Sequence, residues 1–225
     1  MNDLPLLISS EKIERAKKLN TTLLSDAMDC TGSMDYKIKP VTSTAKIVGT
    51  ALTVSLRPGD NLFLHQAIHM GEEGYVIVAD GKGHTQNAYL GELMAFAAKA
   101  RGLEGIIIDG FVRDKEILNQ LDFPIFATGF IPNGPFKDGP GHINIPISCG
   151  GVSVQAGDLI IGDEDGVVVV PRDQIEVRLL RAEEKLEYEN KRVEVISKYE
   201  QSRKAGTPLG SIEPSWLKEK IDSYS

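Results

Sequence analysis

Arg113 and Asp114 stand side by side, and Glu92 precedes them across residues 93–112, in the run GELMAFAAKARGLEGIIIDGFVRD. Glu92 falls near the start of a predicted helix, and the Arg–Asp pair follows the strand after it. One βα layer therefore delivers a carboxylate, a guanidinium and a second carboxylate to the same end. Arg113 can hold a carboxylate or a keto-acid oxygen through a two-pronged hydrogen bond. Asp114 offers the hard oxygen that Mg²⁺ or Mn²⁺ prefers, and Mg²⁺ keeps several waters, so one direct protein carboxylate suffices. Glu92 can orient a cation-bound water from outside the ligand shell. The free N–H groups of a first helical turn, here Gly91, Glu92, Leu93 and Met94, attract an anion. Together these groups suit reactions in which negative charge develops beside a 2-oxo group. The ordinary alternative is that Arg113 and Asp114 only decorate the start of a helix, as charged residues often do.

The elements that must carry these residues follow from patterning. Helices are expected at 11–19, 21–30 and 60–70, the last with Asp60 as N-cap. Residues 45–56 and 75–79 read as strands, the second ending at Asp80–Gly81. Leu90, Leu93, Met94, Ala97 and Ala98 recur at helical spacing, which predicts a helix over 88–101 closed by Gly102. A strand at 105–108, a helix at 113–121 and a strand at 125–128 complete an α/β layer. Residues 129–142 are dense in Gly and Pro and must be loop. Short strands follow at 143–148, 151–155, 158–161 and 166–170, with turn signals at Gly162–Asp163 and Asp165–Gly166. From Arg172 to about Lys204 the chain reads as a long amphipathic helix. Its apolar stripe is too narrow to be core on its own, so a partner subunit could cover it. The expected organisation is one domain over 1–205 and an extension over 206–225.

Composition narrows the function. The chain has 225 residues, 41% hydrophobic and 25% charged, which permits a sizeable core. A net charge of −7 argues against general nucleic-acid binding. No apolar run reaches membrane-spanning length, and the first residues lack a signal-peptide pattern. The two cysteines, Cys30 and Cys149, form no CxxC pair, which fits a reduced cytoplasmic protein. His65 and His69 have the i, i+4 spacing of a zinc pair, but the glutamate of the HExxH motif is missing. Gly81–Lys82–Gly83 lacks the third glycine of a dinucleotide loop, and no glycine-rich S-adenosylmethionine loop occurs. Lys82 reads as a solvated loop lysine and Cys149 as a small buried side chain. Asp163 and Asp165 read as turn formers.

Several separated segments resemble the RraA-like family, which includes class II 4-hydroxy-4-methyl-2-oxoglutarate / 4-carboxy-4-hydroxy-2-oxoadipate aldolases. They are LSDAMD at 24–29, GDNL at 59–62, GELMA at 91–95, DGFVRD at 109–114 and GDEDGVVVVP at 162–171. The aldolase signature is an acidic residue, twenty residues, then Arg-Asp. The resemblance spans roughly residues 20–200. It implies an α/β/β sandwich or barrel similar to the swivelling phosphohistidine domain, with a long C-terminal helix. It implies pyruvate binding by Gly91, Glu92, Leu93, Met94 and Arg113, with Asp114 as ligand to Mg²⁺ or Mn²⁺. It further implies a homotrimer, or a hexamer built from trimers, with sites at subunit interfaces. A glutamate from the neighbour's C-terminal helix (Glu183, Glu184, Glu187 or Glu189) would approach the site. The implied activity is aldol cleavage of a 4-hydroxy-2-oxo acid, with oxaloacetate decarboxylation as a side activity. The family's namesake instead regulates a ribonuclease by protein–protein contact, which is the alternative. This chain departs from the pattern at Glu92, where the aldolases carry Asp, and in the tail after Gly206.

Overall fold

In the computed structural model, residues 3–224 are described, and they form two compact units, Met1–Ala182 and Glu183–Ser225. The first unit opens with helices α1 (Ser10–Lys17) and α2 (Thr21–Ala27) and a short strand β1 (Lys39–Pro40). The central elements are β2 (Ile47–Ser55), α3 (Leu62–Met70), β3 (Tyr75–Leu90), α4 (Glu92–Ala100), β4 (Gly105–Val112), α5 (Lys115–Gln120) and β5 (Ile125–Ala127). Then come β6 (Gly129–Phe130), β7 (His142–Ile143), β8 (Ile147–Cys149), β9 (Val152–Val154), β10 (Leu159–Asp163) and β11 (Gly166–Val170).

The main sheet runs β1-β5-β4-β3-β2-β10-β11. Strands β2, β3, β4 and β5 are parallel, joined through α3, α4 and α5, while β10, β11 and β1 add antiparallel pairs. The segment 32–40 bridges the two edges. Gly32 and Met34 bond to Val169 and Val167 of β11, and β1 pairs with β5. The sheet is therefore a nearly closed barrel. Both faces are buried, which explains the continuous Val/Ile runs of its parallel strands. Val76, Val78, Ile107, Phe126 and Ile160 form the interior cluster with the β8–β9 hairpin residues Cys149 and Val154. Ile77, Ala79, Ile106 and Ile108 face outward onto Leu64, Ala95, Ala98 and Leu118 of the helices.

Local patterning misplaces one boundary that matters. Residues 88–90 are strand, not helix, and α4 starts only at Glu92. Ala88, Tyr89 and Leu90 are all almost fully buried, so no helical stripe could serve them. Strand β3 does not end at Asp80. It makes an irregular excursion after Ala79, then returns so that Leu90 pairs with Val112. Two glycines make room for the return, since a Cβ at Gly81 or Gly110 would lie 2.7 or 2.6 Å from the Tyr89 ring. The Tyr89 hydroxyl fastens the excursion, donating to Gly81 O (2.6 Å) and accepting from Gly59 N–H (3.0 Å).

Smaller corrections follow the same logic. Helix α5 begins at Lys115 rather than 113, because Asp114 adopts a left-handed backbone. Gly162–Asp163 belong to β10, and Asp163 ties down the start of α2 through Thr21 N–H (2.8 Å) and Oγ1 (2.6 Å). A single 3-10 turn at 172–174 leads into α6 (Ile175–Ala205), which begins in the first unit and continues into the second. Within the second unit, the tail contains a further helix, α7 (Ser215–Asp222), and Trp216 Nε1–H donates to the Tyr188 hydroxyl (3.2 Å). No helix among the described residues is long and apolar enough to cross a membrane.

Candidate active site

The pairing of Leu90 with Val112 decides the site. It leaves the next residues on each strand, Gly91 and Arg113, adjacent at the carboxyl ends of β3 and β4. Arg113 N–H donates to Leu90 O (2.9 Å), which fixes the two chain exits against each other. Asp114 follows with φ 65° and ψ 42°, a left-handed conformation that most non-glycine residues avoid and that aspartate adopts more readily than they do. That turn brings its carboxylate back over the start of α4. Asp114 Oδ2 accepts the Glu92 N–H at 3.0 Å and lies 3.6 Å from Arg113 Nε. The approach is close enough that any side chain at 91 would displace the Asp114 carboxylate. A Cβ there would sit 2.4 Å from Asp114 Oδ2 and 3.0 Å from Arg113 Nε.

A cleft of about 220 Å³ opens at this point. It is lined by Gly91, Glu92, Leu93, Met94, Arg113 and Asp114, and also by Asn61, His65, Tyr89, Leu90, Pro135 and Lys137. Every residue expected to bind or react therefore reaches one cleft. The first-turn N–H groups of Leu93 and Met94 have no intrahelical acceptor, which leaves them as donors of the kind an anion takes. Arg113 and Asp114 keep side chains 43% and 32% exposed, so both are accessible to a ligand.

Sequence patterning leaves most of the opposite wall unread, although one of His65 and His69 stays open as a pocket-lining residue. His65 comes from α3 as one member of an apparent zinc pair; among the described residues no group of three or more His, Cys, Asp or Glu gathers around it. Burial, reinforced by Lys137 and His69, lowers the His65 pKa, so the imidazole is neutral at pH 7. Asn61 Nδ2 donates to Tyr89 O (2.8 Å) and contacts Met94 Sδ (3.1 Å), joining α3 to the cleft floor. Tyr89 is pushed up to about 12 by burial and by the carboxylates of Asp80, Asp109 and Asp60, so its hydroxyl remains a proton donor. Pro135 and Lys137 belong to the Gly/Pro-rich loop, whose composition marks it as loop without saying where it goes. Asn87 and Asn133 stitch that loop to β3 through Gly134 O (2.6 Å) and Gln86 O (3.0 Å).

The other candidates have structural roles. Lys82 pairs with Asp80. Cys149 is fully buried, and burial with the nearby Asp109 and Asp80 holds its thiol well above the ordinary value, so it is no nucleophile.

The site is thus a cleft with free helix-start amides and an arginine on one wall and a half-buried carboxylate at its edge, carried at the strand ends of a nearly closed α/β barrel. The RraA-like family, described as Aldolase/RraA, matches residues 21–169, and the chain belongs to that family. A relative in Halalkalibacterium halodurans, provisionally named 4-hydroxy-4-methyl-2-oxoglutarate aldolase, is 40% identical over 185 residues, which is 82% of this chain and 88% of that protein. Among solved structures, an uncharacterised protein from Pseudomonas syringae superposes with a TM-score of 0.76 at 28% identity, covering 88% of this chain and all of that one. The RNA-processing inhibitor RraA from Thermus thermophilus superposes with a TM-score of 0.63 at 29% identity, covering 68% and 92%. The chain is therefore similar both to proteins named as aldolases and to one named as an inhibitor.

Proposed function

We propose that this cleft is the active site of a divalent-metal-dependent aldolase that cleaves a 4-hydroxy-2-oxo acid and releases pyruvate. The observation that carries the reading is Asp114. It is held left-handed, with one oxygen fixed by the Glu92 N–H, directly beside Arg113 and the free amides of α4. A helix start alone needs no such conformation. The donor chemistry suits a hydrated hard cation, Mg²⁺ or Mn²⁺, since the second oxygen of Asp114 makes no hydrogen bond among the described residues and Glu92 lies alongside. Such a cation, when bound, would draw electron density from the 2-oxo group.

The chain's own groups divide the remaining work. Arg113 and the N–H groups of Leu93 and Met94 hold the 1-carboxylate and fix the C3–C4 bond in place. His65 and Lys137, on the opposite wall, face the far end of the substrate, where Lys137 supplies the positive charge for a second carboxylate. A base takes the proton from the C4 hydroxyl, the C3–C4 bond breaks, and C4 becomes a carbonyl. The bond's electron pair moves into the pyruvate half. A water held by Glu92 then returns a proton to C3. Oxaloacetate decarboxylation generates the same pyruvate fragment and is the expected side activity.

An oligomer, trimer or hexamer, is part of this reading. Leu93 lines the cleft yet is 78% exposed, and Phe136, between two lining residues, is 57% exposed. Apolar side chains so placed suit cover by a second copy. Regulation of a ribonuclease by protein contact is the second reading, favoured by the likeness to the Thermus inhibitor. A screen of 4-hydroxy-2-oxo acids for pyruvate release, with Mg²⁺ or Mn²⁺ and with chelator, separates the two. Turnover that chelator abolishes and Asp114→Ala removes is expected. No turnover on any such acid, with capture of RNA-degradation proteins, would favour the second.

A further inference from the structure

Asp60 lies outside the set of groups that would touch substrate, yet it is 2% exposed and all of its bonding is directed at the cleft's far wall. Its Oδ1 accepts the Leu62 N–H at 2.9 Å, in the first turn of α3, the helix that carries His65. Its Oδ2 accepts two N–H groups, from Asp138 at 2.6 Å and Gly139 at 2.9 Å. The Asp138 N–H belongs to the peptide bond that Lys137 itself forms. On the other side of Lys137, Phe136 N–H donates to Gly59 O (2.8 Å) and Phe136 O accepts from Asn61 N–H (3.0 Å). Arg57 adds a bond to Gly139 O at 3.0 Å. Lys137 is therefore clamped before and after by the segment 57–61, and one buried carboxylate supplies the clamp on the downstream side.

We propose that Asp60 is a positioning residue that holds Lys137 over the cleft and thereby sets affinity for substrates with a second carboxylate; this rests on the aldolase reading above. Three N–H groups converging on two oxygens explain why a carboxylate is needed. An amide in its place has one acceptor oxygen and one NH₂ donor, so in either orientation at least one backbone N–H meets a donor. A buried N–H left without an acceptor is costly, and the cheapest relief is for residues 137–139 to move away. Lys137 then leaves its place, while Gly91, Arg113 and Asp114, fixed by β3 and β4, do not depend on Asp60.

The test compares wild type, Asp60→Asn, Lys137→Met and the double variant on a 4-carboxylated 4-hydroxy-2-oxo acid, together with hydrogen–deuterium exchange of the loop. Asp60→Asn is expected to raise KM about tenfold, the scale of one weakened charge-assisted contact, with a smaller effect on kcat. In the Lys137→Met background it should add nothing, because the group it positions is gone. Amides of 136–140 should exchange faster in Asp60→Asn, while those of β4 stay protected. A loss of equal size in the Lys137→Met background, or unchanged exchange at 136–140, overturns the proposal. If Asp60→Asn does not fold, Asp60→Glu keeps the charge, shifts the oxygens by one methylene and is read in the same way. Absence of turnover in the wild type would count against the aldolase reading instead, and the exchange result would still judge the clamp.

Discussion

Gly91→Ala isolates the geometry of the site from its chemistry. The backbone at residue 91 is extended (φ −139°, ψ −170°), so alanine meets no backbone strain there. The entire effect comes from one methyl group. Its carbon would lie 2.4 Å from Asp114 Oδ2, where ordinary contact begins at 3.4 Å. The carboxylate must retreat by about 1 Å, a displacement that typically costs around 10²-fold in rate when it moves a reacting group. The Glu92 N–H bond to Oδ2 stretches with it. We expect kcat/KM for pyruvate release to fall about 10²-fold, equivalent to roughly 2.7 kcal/mol of transition-state stabilisation. Thermal unfolding should shift little, because the methyl points into an accessible cleft and not into the core. Steady-state kinetics on the best 4-hydroxy-2-oxo acid, paired with a melting curve, measures both. Activity within threefold of wild type would refute the reasoning, since it would mean that the Asp114 position is immaterial.

Other outcomes follow from the same structure. Asp114→Asn should keep the fold, because asparagine tolerates the left-handed backbone and still accepts the Glu92 N–H, yet it should abolish metal-dependent turnover; melting and kinetics with titrated Mn²⁺ check this. Tyr89→Phe strands the Gly81 carbonyl and the Gly59 N–H in a buried setting. It should destabilise by roughly 2–4 kcal/mol in denaturant titration. Asp60 has a lowered pKa: burial opposes this, but the N–H groups of Leu62, Asp138 and Gly139, with Arg57, outweigh it. Its contribution to stability is therefore complete above the ordinary value of 3.8 and is lost as pH falls through the lower folded value. Unfolding measured below pH 4 should show a shallower acid slope in Asp60→Asn. His65 is also lowered, so the unfolded chain takes up its proton first and stability drops as pH falls below 6.5. His65→Gln should flatten the unfolding profile just below that pH.

Much of the site was legible because its reactive types are rare and their spacing is tied to one βα unit. The pattern places Arg113 and Asp114 after a strand and Glu92 near the start of the preceding helix, at the same end of one βα layer. Two things could not be read locally. The strand–helix boundary before Glu92 depends on Tyr89 and Leu90 being buried on every side, and burial is a tertiary property that periodicity cannot report. The far wall depends on a loop whose glycines and prolines allow many paths. Its course is chosen by Asp60, Asn87 and Asn133, polar residues whose partners lie 47 to 79 positions away. Asp60 itself was legible as a helix cap, but the N-cap of α3 is Asn61; Asp60 stands one residue earlier, accepts the Leu62 N–H with one oxygen and holds the loop beside the cleft with the other.

The left-handed backbone at Asp114 has an evolutionary corollary. Aspartate tolerates the left-handed backbone better than most residues, yet glycine occupies it more readily still. A lineage that gave up the chemistry would gain stability by drifting to glycine at this position, and little would oppose the drift. If the proposed chemistry holds, the residue aligned with 114 becomes a gauge for reading related chains: aspartate is expected in those that keep the chemistry, and glycine in those that use the same barrel only as a surface.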